Sequence, residues 1–307
     1  MQSSCPEIQI KILTYLPLWD LIRFSSVSKY FLLLVRDHPW DLVINTNNYY
    51  KKKFTKETAS HIITTYQFRE YDFSFRKDVD KIFEKLKTVC YSKILRLDYS
   101  ATSGQYLRFF PNLSELYLIN NDRLLDESIV ALCQMKTEPF HKINLGYGLN
   151  KISDITLEAI ARVGCEELNL SNRENITDVG VQKIVSSGKV HRLHLCWNRQ
   201  LTEAAFEGMK GVQFLNMFKT NVTDGILKKI GICDQLDLSG CYNITDKSLL
   251  YLNCSELVLK LNKNITYDGL ITLLSHGNLK KLNLYLYVRP GFQELVSMFP
   301  NVQIEKE

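Results

Sequence analysis

The stretch LDLSGCYNITD, residues 236–246, sets two leucines on alternate positions, then a cysteine, then the tripeptide Asn243-Ile244-Thr245. N-x-T is a glycosylation acceptor pattern, and a cysteine beside it suggests a secreted, disulfide-bonded chain. Recurrence gives a different reading. The frame apolar-x-x-apolar-x-apolar that ends at Leu238 also ends at Phe73, Leu97, Leu118, Leu145, Leu170, Leu195, Met217, Leu259, Leu284 and Ile304, with a weaker copy ending at Ile44. From Leu97 onward the intervals are 21, 27, 25, 25, 22, 21, 21, 25 and 20 residues. N-x-S/T also begins at Asn112, Asn175, Asn221, Asn253 and Asn264. Those at Asn175, Asn221, Asn243 and Asn264 share one phase of the repeat, so they are products of periodicity.

Each unit has the same internal order. The alternating apolar pair makes a short strand with one face inward. A second apolar anchor follows, as in Leu124-Leu125-Asp126, Ile152-Ser153-Asp154, Ile176-Thr177-Asp178, Leu201-Thr202-Glu203, Val222-Thr223-Asp224, Ile244-Thr245-Asp246 and Ile265-Thr266-Tyr267. Then comes a helical period, as in Val181, Ile184 and Val185. Ser or Thr before that segment is a good N-cap, and the acid after it suits the positive end of a helix. No unit buries its apolar side alone; stacking builds the core. Residues 41–307 are therefore expected to form an α/β leucine-rich-repeat solenoid of 11 or 12 units, curved, with parallel strands on the concave face and helices on the convex face. The stretch 236–246 resembles the cysteine-containing leucine-rich-repeat subfamily. The slot of Cys241 holds Asn121, Gly148, Arg173, Asn198, Thr220 and Asn262 in other units.

Composition narrows the function classes. The 307 residues are 45% hydrophobic and 23% charged, with a net charge of +5. That charge is too small to indicate nucleic acid. The longest apolar run is Tyr30–Val35, far short of the ~20 residues a membrane span needs. Glu7, Lys11 and Asp20 interrupt the apolar start, so no secretory leader is expected. Cys165, Cys233 and Cys254 occupy the first apolar slot and read as small buried hydrophobes. Without a C-x-x-C pair no zinc site is expected, and His191 and His194 on one strand point to opposite faces. No phosphate loop and no catalytic Ser/His/Asp or Cys/His set emerges. No catalytic residue, metal or cofactor is expected.

Residues 1–40 leave the repeat. Ile8, Ile12 and Leu16 fall at helical spacing with Leu13 beside them, and further helices fit Leu18–Phe24 and Ser28–Asp37. Pro6, Glu7, Ile8, Ile12, Leu13, Tyr15, Leu16, Leu21, Val27, Ser28, Lys29, Phe31 and Trp40 match the pattern of an F-box, with Cys5 where the pattern opens on Leu. The segment resembles that domain. F-box proteins with such repeats resemble substrate receptors of cullin-based SCF ubiquitin ligases. The resemblance implies a three-helix F-box over 1–40 that docks on the adaptor protein, and through it on cullin. It implies adaptor contacts at Pro6, Ile8, Ile12, Leu13, Leu16, Leu21, Val27 and Ser28. It also implies a non-catalytic chain, monomeric outside the complex, in cytoplasm or nucleus, with no membrane or nucleic-acid partner. An unidentified protein substrate is expected on the strand face, where Arg96, Tyr117, Arg192, His194, Phe214, Phe218 and Tyr285 project, as do Asn144, Asn169, Asn216 and Asp237. Two alternatives stay open: a repeat scaffold whose N-terminal helices only cap the solenoid, and a repeat-type regulator of a small GTPase.

Overall fold

The computed structural model describes residues 20, 21, 32, 33, 35, 40–45, 55–148, 151–276, 278–284 and 292–306. Two compact units divide the chain, Met1–Glu138 and Pro139–Glu307. In the first, strands β1 (Trp40–Asn45), β2 (Phe68–Asp72), β3 (Ile94–Arg96) and β4 (Glu115–Tyr117) pair in parallel in chain order. In the second, β5 (Phe140–Asn144), β6 (Cys165–Asn169), β7 (Val190–His194), β8 (Phe214–Asn216), β9 (Gln235–Asp237), β10 (Glu256–Val258), β11 (Lys281–Leu284) and β12 (Gln303–Lys306) do the same. All the strands coincide with the repeat frames of the sequence. From Trp40 onward the described residues of both units form leucine-rich-repeat solenoid, each repeat a strand, a turn and a return segment.

Register follows from burial. Leu168, Leu193, Leu215, Leu236, Leu257, Leu282 and Ile304 stand opposite one another on successive strands, as do Tyr71, Leu95 and Leu116 in the first unit. Leu95, Leu116, Leu168, Leu193 and Leu215 are fully buried. A slip of one residue would turn each of them to solvent, which is why the ladder does not slip.

The return segments differ from the expectation of a helix in every unit. Where the interval between frames is 25 residues or more, the segment is an α-helix of nine or ten residues: Lys56–Thr65, Asp126–Met135, Asp154–Val163, Asp178–Ser186 and Tyr267–His276. Where it is 24 or fewer, three to seven residues remain, and two of these segments, Leu107–Phe109 and Glu203–Phe206, are 3₁₀ turns. Strand and turn take a nearly constant share of each repeat. The helix absorbs the difference, and a one-turn remainder closes as a 3₁₀ turn.

Two recurring contacts join consecutive repeats of the second unit. At the head of the return segments, Asp154 accepts from Thr177, Asp178 from Thr202, Asp224 from Thr245 and Asp246 from Thr266, each through both the backbone N–H and the hydroxyl. The hydroxyls of Thr177, Thr202 and Thr245 also accept from their own segments as N-caps. Thr is needed as donor and acceptor at once. The acid is held at a helix N-terminus, where negative charge is favourable. Gly180 and Gly269 sit beside the carboxylates of Asp154 and Asp246, and Gly225 beside that of Glu203; a Cβ on Gly180 would lie 2.2 Å from Asp154 Oδ1.

The other contact lies three residues past the last strand leucine. There Asn198 Nδ2 donates to Leu170 O at 2.9 Å, Cys241 Sγ to Met217 O at 3.1 Å and Asn262 Nδ2 to Leu238 O at 3.0 Å. Arg173, 2% exposed, donates to Leu145 O, and to Gly148 O at 3.1 Å. These backbone acceptors are buried or partly buried, so a donor in this slot replaces the water they would otherwise bind. Cys, Asn and Arg all serve because each brings a donor; Thr220 turns its hydroxyl to Met217 O of its own repeat instead, and Gly148 has no side chain to offer.

Two expectations follow. Ala normally exceeds Gly inside a helix by about 1 kcal/mol. Gly180→Ala should instead lower the thermal midpoint, because Asp154 must leave Thr177 to make room, whereas in an Asp154→Ala background the same change should raise it. Arg173→Ala should cost about 3 kcal/mol or more in urea denaturation, since it leaves buried carbonyls unpaired and opens a cavity. Arg173→Asn should recover part of that.

Candidate functional site

The outward face of the strands is built from the residues that flank each buried leucine. Its first feature is structural. Asn144 Oδ1 accepts from Gly146 N, Asn169 from Ser171 N, Asn216 from Phe218 N and Asp237 from Ser239 N. Side-chain turns of this kind mimic a backbone turn and end the strand. These four residues, expected as outward contacts, are committed to the backbone by at least one oxygen.

In the first unit, Arg96 Nε lies 2.5 Å from Glu70 Oε1, and its guanidinium stands 4.0 Å from the centre of the Tyr117 ring. The Tyr117 hydroxyl donates to Glu115 Oε2 at 2.6 Å. Burial, then that hydrogen bond, push its pKa up to about 12, so it stays a phenol. Two aromatics not singled out from the sequence lie at the strand exits. Phe75 and Tyr99 stack with ring centres 5.0 Å apart and planes 2° apart, and each is about half exposed.

In the second unit the charges are shared around Glu167. Lys142 Nζ is 2.7 Å from it, His194 Nε2 3.5 Å and Arg192 Nε 3.7 Å. Burial opposes its charge, but the hydrogen bond and charge of Lys142, then His194 and Arg192, outweigh that and hold the carboxyl below its usual range. Burial holds the His194 pKa below the usual histidine value, against the pull of Glu167, so the imidazole is neutral at pH 7. Phe214 is a platform: the Arg192 guanidinium sits 4.2 Å over its ring, and His194 packs at 5.0 Å. Arg192 Nη1 reaches Gln235 Oε1 at 3.4 Å. Arg192, His194 and Phe214 therefore form one cluster.

Phe218, half-buried, is in another environment. Its ring meets Trp197 edge-on at 6.0 Å and 80°. Lys219 Nζ stands 4.4 Å from the Trp197 ring and 5.1 Å from the Phe218 ring. The Arg199 guanidinium is 5.4 Å from Trp197. Trp197 and Lys219, which sequence reasoning passed over, are in the left-handed region at φ +66° and +55°. The signal that could have found them is constant: two residues past each last strand apolar residue stand Phe75, Tyr99 and Asn120 in the first unit, and Tyr147, Asn172, Trp197, Lys219, Gly240 and Leu261 in the second, all at positive φ. Glycine is the residue that suits this geometry, yet only Gly240 is one.

Pro6, Ile8, Ile12, Leu13, Leu16, Val27, Ser28 and Tyr285 lie outside the described residues. Leu21 is helical and wholly buried within the chain, so it offers a partner no surface as it stands. Among the described residues, the cysteines are free thiols, and burial pushes Cys233 and Cys254 up to about 12 and Cys241 up to about 11. Among the described residues no group of His, Cys, Asp or Glu is placed to hold a metal, and no helix is long and apolar enough to cross a membrane.

Residues 5–41 match the model of the F-box domain. No curated protein matches the chain in sequence. Among solved structures the chain is similar to one chain of the crystal structure of the Rad7 and Elc1 complex in yeast, with TM-score 0.53 and 13% identity, over 90% of this chain and 85% of that one. A segment that matches the F-box domain thus precedes repeats whose fold is shared with a chain of that complex.

Proposed function

We propose that the protein is the substrate-recognition subunit of an SCF-type ubiquitin ligase, with residues 1–40 docking on the adaptor and residues 41–307 holding a target protein. The observation that carries this reading is the F-box match over residues 5–41, running directly into leucine-rich repeats. The similar solved chain comes from a complex of Rad7 with Elc1, and a fold of this kind working against a bound partner agrees with the proposal. The chain contributes no bond chemistry in this reading. It holds a substrate lysine near the loaded conjugating enzyme, and proximity supplies the rate. We assign the repeats to the cysteine-containing subfamily on the strength of Cys241, whose thiol fills the donor slot toward Met217 O.

On the F-box, Pro6, Ile8, Ile12, Leu13, Leu16, Val27 and Ser28 supply the adaptor contacts, with Leu21 supporting them from inside. Ile12→Asp or Leu13→Asp buries an unpaired carboxylate in that contact and should weaken adaptor binding by about 100-fold or more, roughly 3 kcal/mol. Affinity capture beside the wild type tests it. Loss of adaptor and cullin together is expected; undiminished adaptor on a folded variant overturns the assignment of these contacts, and a wild type that captures no adaptor overturns the ligase reading in favour of a repeat scaffold.

On the strand face, Arg96 with Tyr117 and the Arg192–His194–Phe214 cluster are candidate target contacts, with Phe218 and Tyr285. Aromatic and Arg side chains are the usual anchors of protein interfaces. Phe214→Ala with Phe218→Ala should remove captured target proteins while leaving the adaptor in place. An unchanged set of captured proteins would show that targets sit elsewhere.

A further inference from the structure

The exits of β7 and β8 bring together side chains that the fold does not require. Trp197 and Phe218 form an edge-on pair, and both rings are only half-buried. Lys219 and Arg199 lie over the Trp197 ring, at 4.4 and 5.4 Å from its centre. Neither cation pairs with a carboxylate among the described residues, whereas Lys142 and Arg192 nearby share Glu167. A cation over an aromatic face is attracted by the ring, but that attraction leaves its hydrogen-bond donors free for an anion. Trp197 and Lys219 also hold their places at positive φ, a geometry costing of order 1–3 kcal/mol per bulky residue.

We infer that this corner binds a short acidic peptide segment of the target protein, with one aromatic or aliphatic side chain against Trp197 and Phe218 and flanking carboxylates on Lys219 and Arg199. The inference rests on the target-binding reading of the strand face and gives it a substrate class. Charge complementarity selects the partner. The corner carries two cations without counter-charge and two rings, which fits a mixed acidic and apolar segment. Basic segments are repelled by it. Single-stranded nucleic acid also uses stacking and cations, but it needs a groove that follows many phosphates. Here the cations at the corner are two, Lys219 and Arg199, and the adjacent strand β9 presents the carboxylate Asp237, which suits a short anion better than a long run of phosphates. The anion on the segment is a carboxylate or a phosphorylated side chain; the two share one recognition chemistry.

The test uses the full chain purified with its adaptor. A random twelve-residue peptide library is panned on wild type and on the double variant Lys219→Glu, Arg199→Glu, and adaptor retention is scored in both preparations. Acidic peptides with an aromatic or aliphatic residue should be enriched on wild type and depleted at least about tenfold on the variant. An enriched peptide, resynthesised with Asp and Glu changed to Asn and Gln, should bind at least about tenfold more weakly by fluorescence anisotropy. Its phosphoserine counterpart, with phosphoserine at the acidic positions, tells which anion is preferred, and either preference supports the inference. Enrichment of neutral or basic peptides, no enrichment, equal binding to the variant, or equal or tighter binding of oligothymidylate overturns it. Trp197→Ala tests the ring separately and should lower affinity without changing the salt dependence; an unchanged affinity also overturns the inference. Adaptor retention is unaffected by any of these outcomes, so failure of this corner and failure of the ligase reading remain distinguishable.

Discussion

Strands three to six residues long have more ends than middles, and the ends must be satisfied by the neighbouring repeat. Successive backbones lie about 4.8 Å apart. At that spacing a strand-exit carbonyl that the next repeat seals from water needs a donor from the chain stacked on it. Arg173, Asn198, Cys241 and Asn262 supply those donors, and Asp154, Asp178, Asp224 and Asp246 tie the opposite end of each repeat to the next Thr. With both ends tied, the leucines between them have one register. The outward positions then align into rows whose members can touch.

The repeat frames, the buried anchors and the Thr and Ser caps could be read directly from periodicity, because burial imposes a period of two on strands and the cap imposes a residue type. The return segments could not. Their form depends on how many residues are left after a strand and turn of nearly fixed size, and apolar spacing looks alike in one turn of α-helix and in a 3₁₀ turn. The Asp–Thr pairing is visible in sequence as a motif but not as a bond between repeats: periodicity marks the Thr as a cap and the Asp as a charge near a helix end. Each in fact acts on a neighbour some twenty residues away in sequence.

Among candidate site residues, the sequence pointed to those standing between leucines: Arg96, Tyr117, Arg192, His194 and Phe214. It could not separate the outward Asn and Asp that hold the turn from outward residues that are available to a partner, since alternation assigns both to one face. It passed over Phe75, Tyr99, Trp197 and Lys219 because the alternating frame stops at the last leucine. Positive φ turns the next outward residue but one into a separate row, and only the backbone reveals it.

That exit row matters because charge is distributed unevenly between it and the strands. On the strands of the second unit Glu167 serves Lys142 and Arg192, and Glu305 serves Lys281. Pairs so close to one another gain little from an incoming anion, which would have to displace a carboxylate already in place. At the Trp197 exit the cations face rings instead of carboxylates, so an arriving anion displaces only water. In the left-handed region Trp197 costs backbone energy that Asn or Gly would avoid. The fold alone therefore does not account for Trp197 beside Phe218 and Lys219. A ligand that uses the rings and the unanswered charges together does.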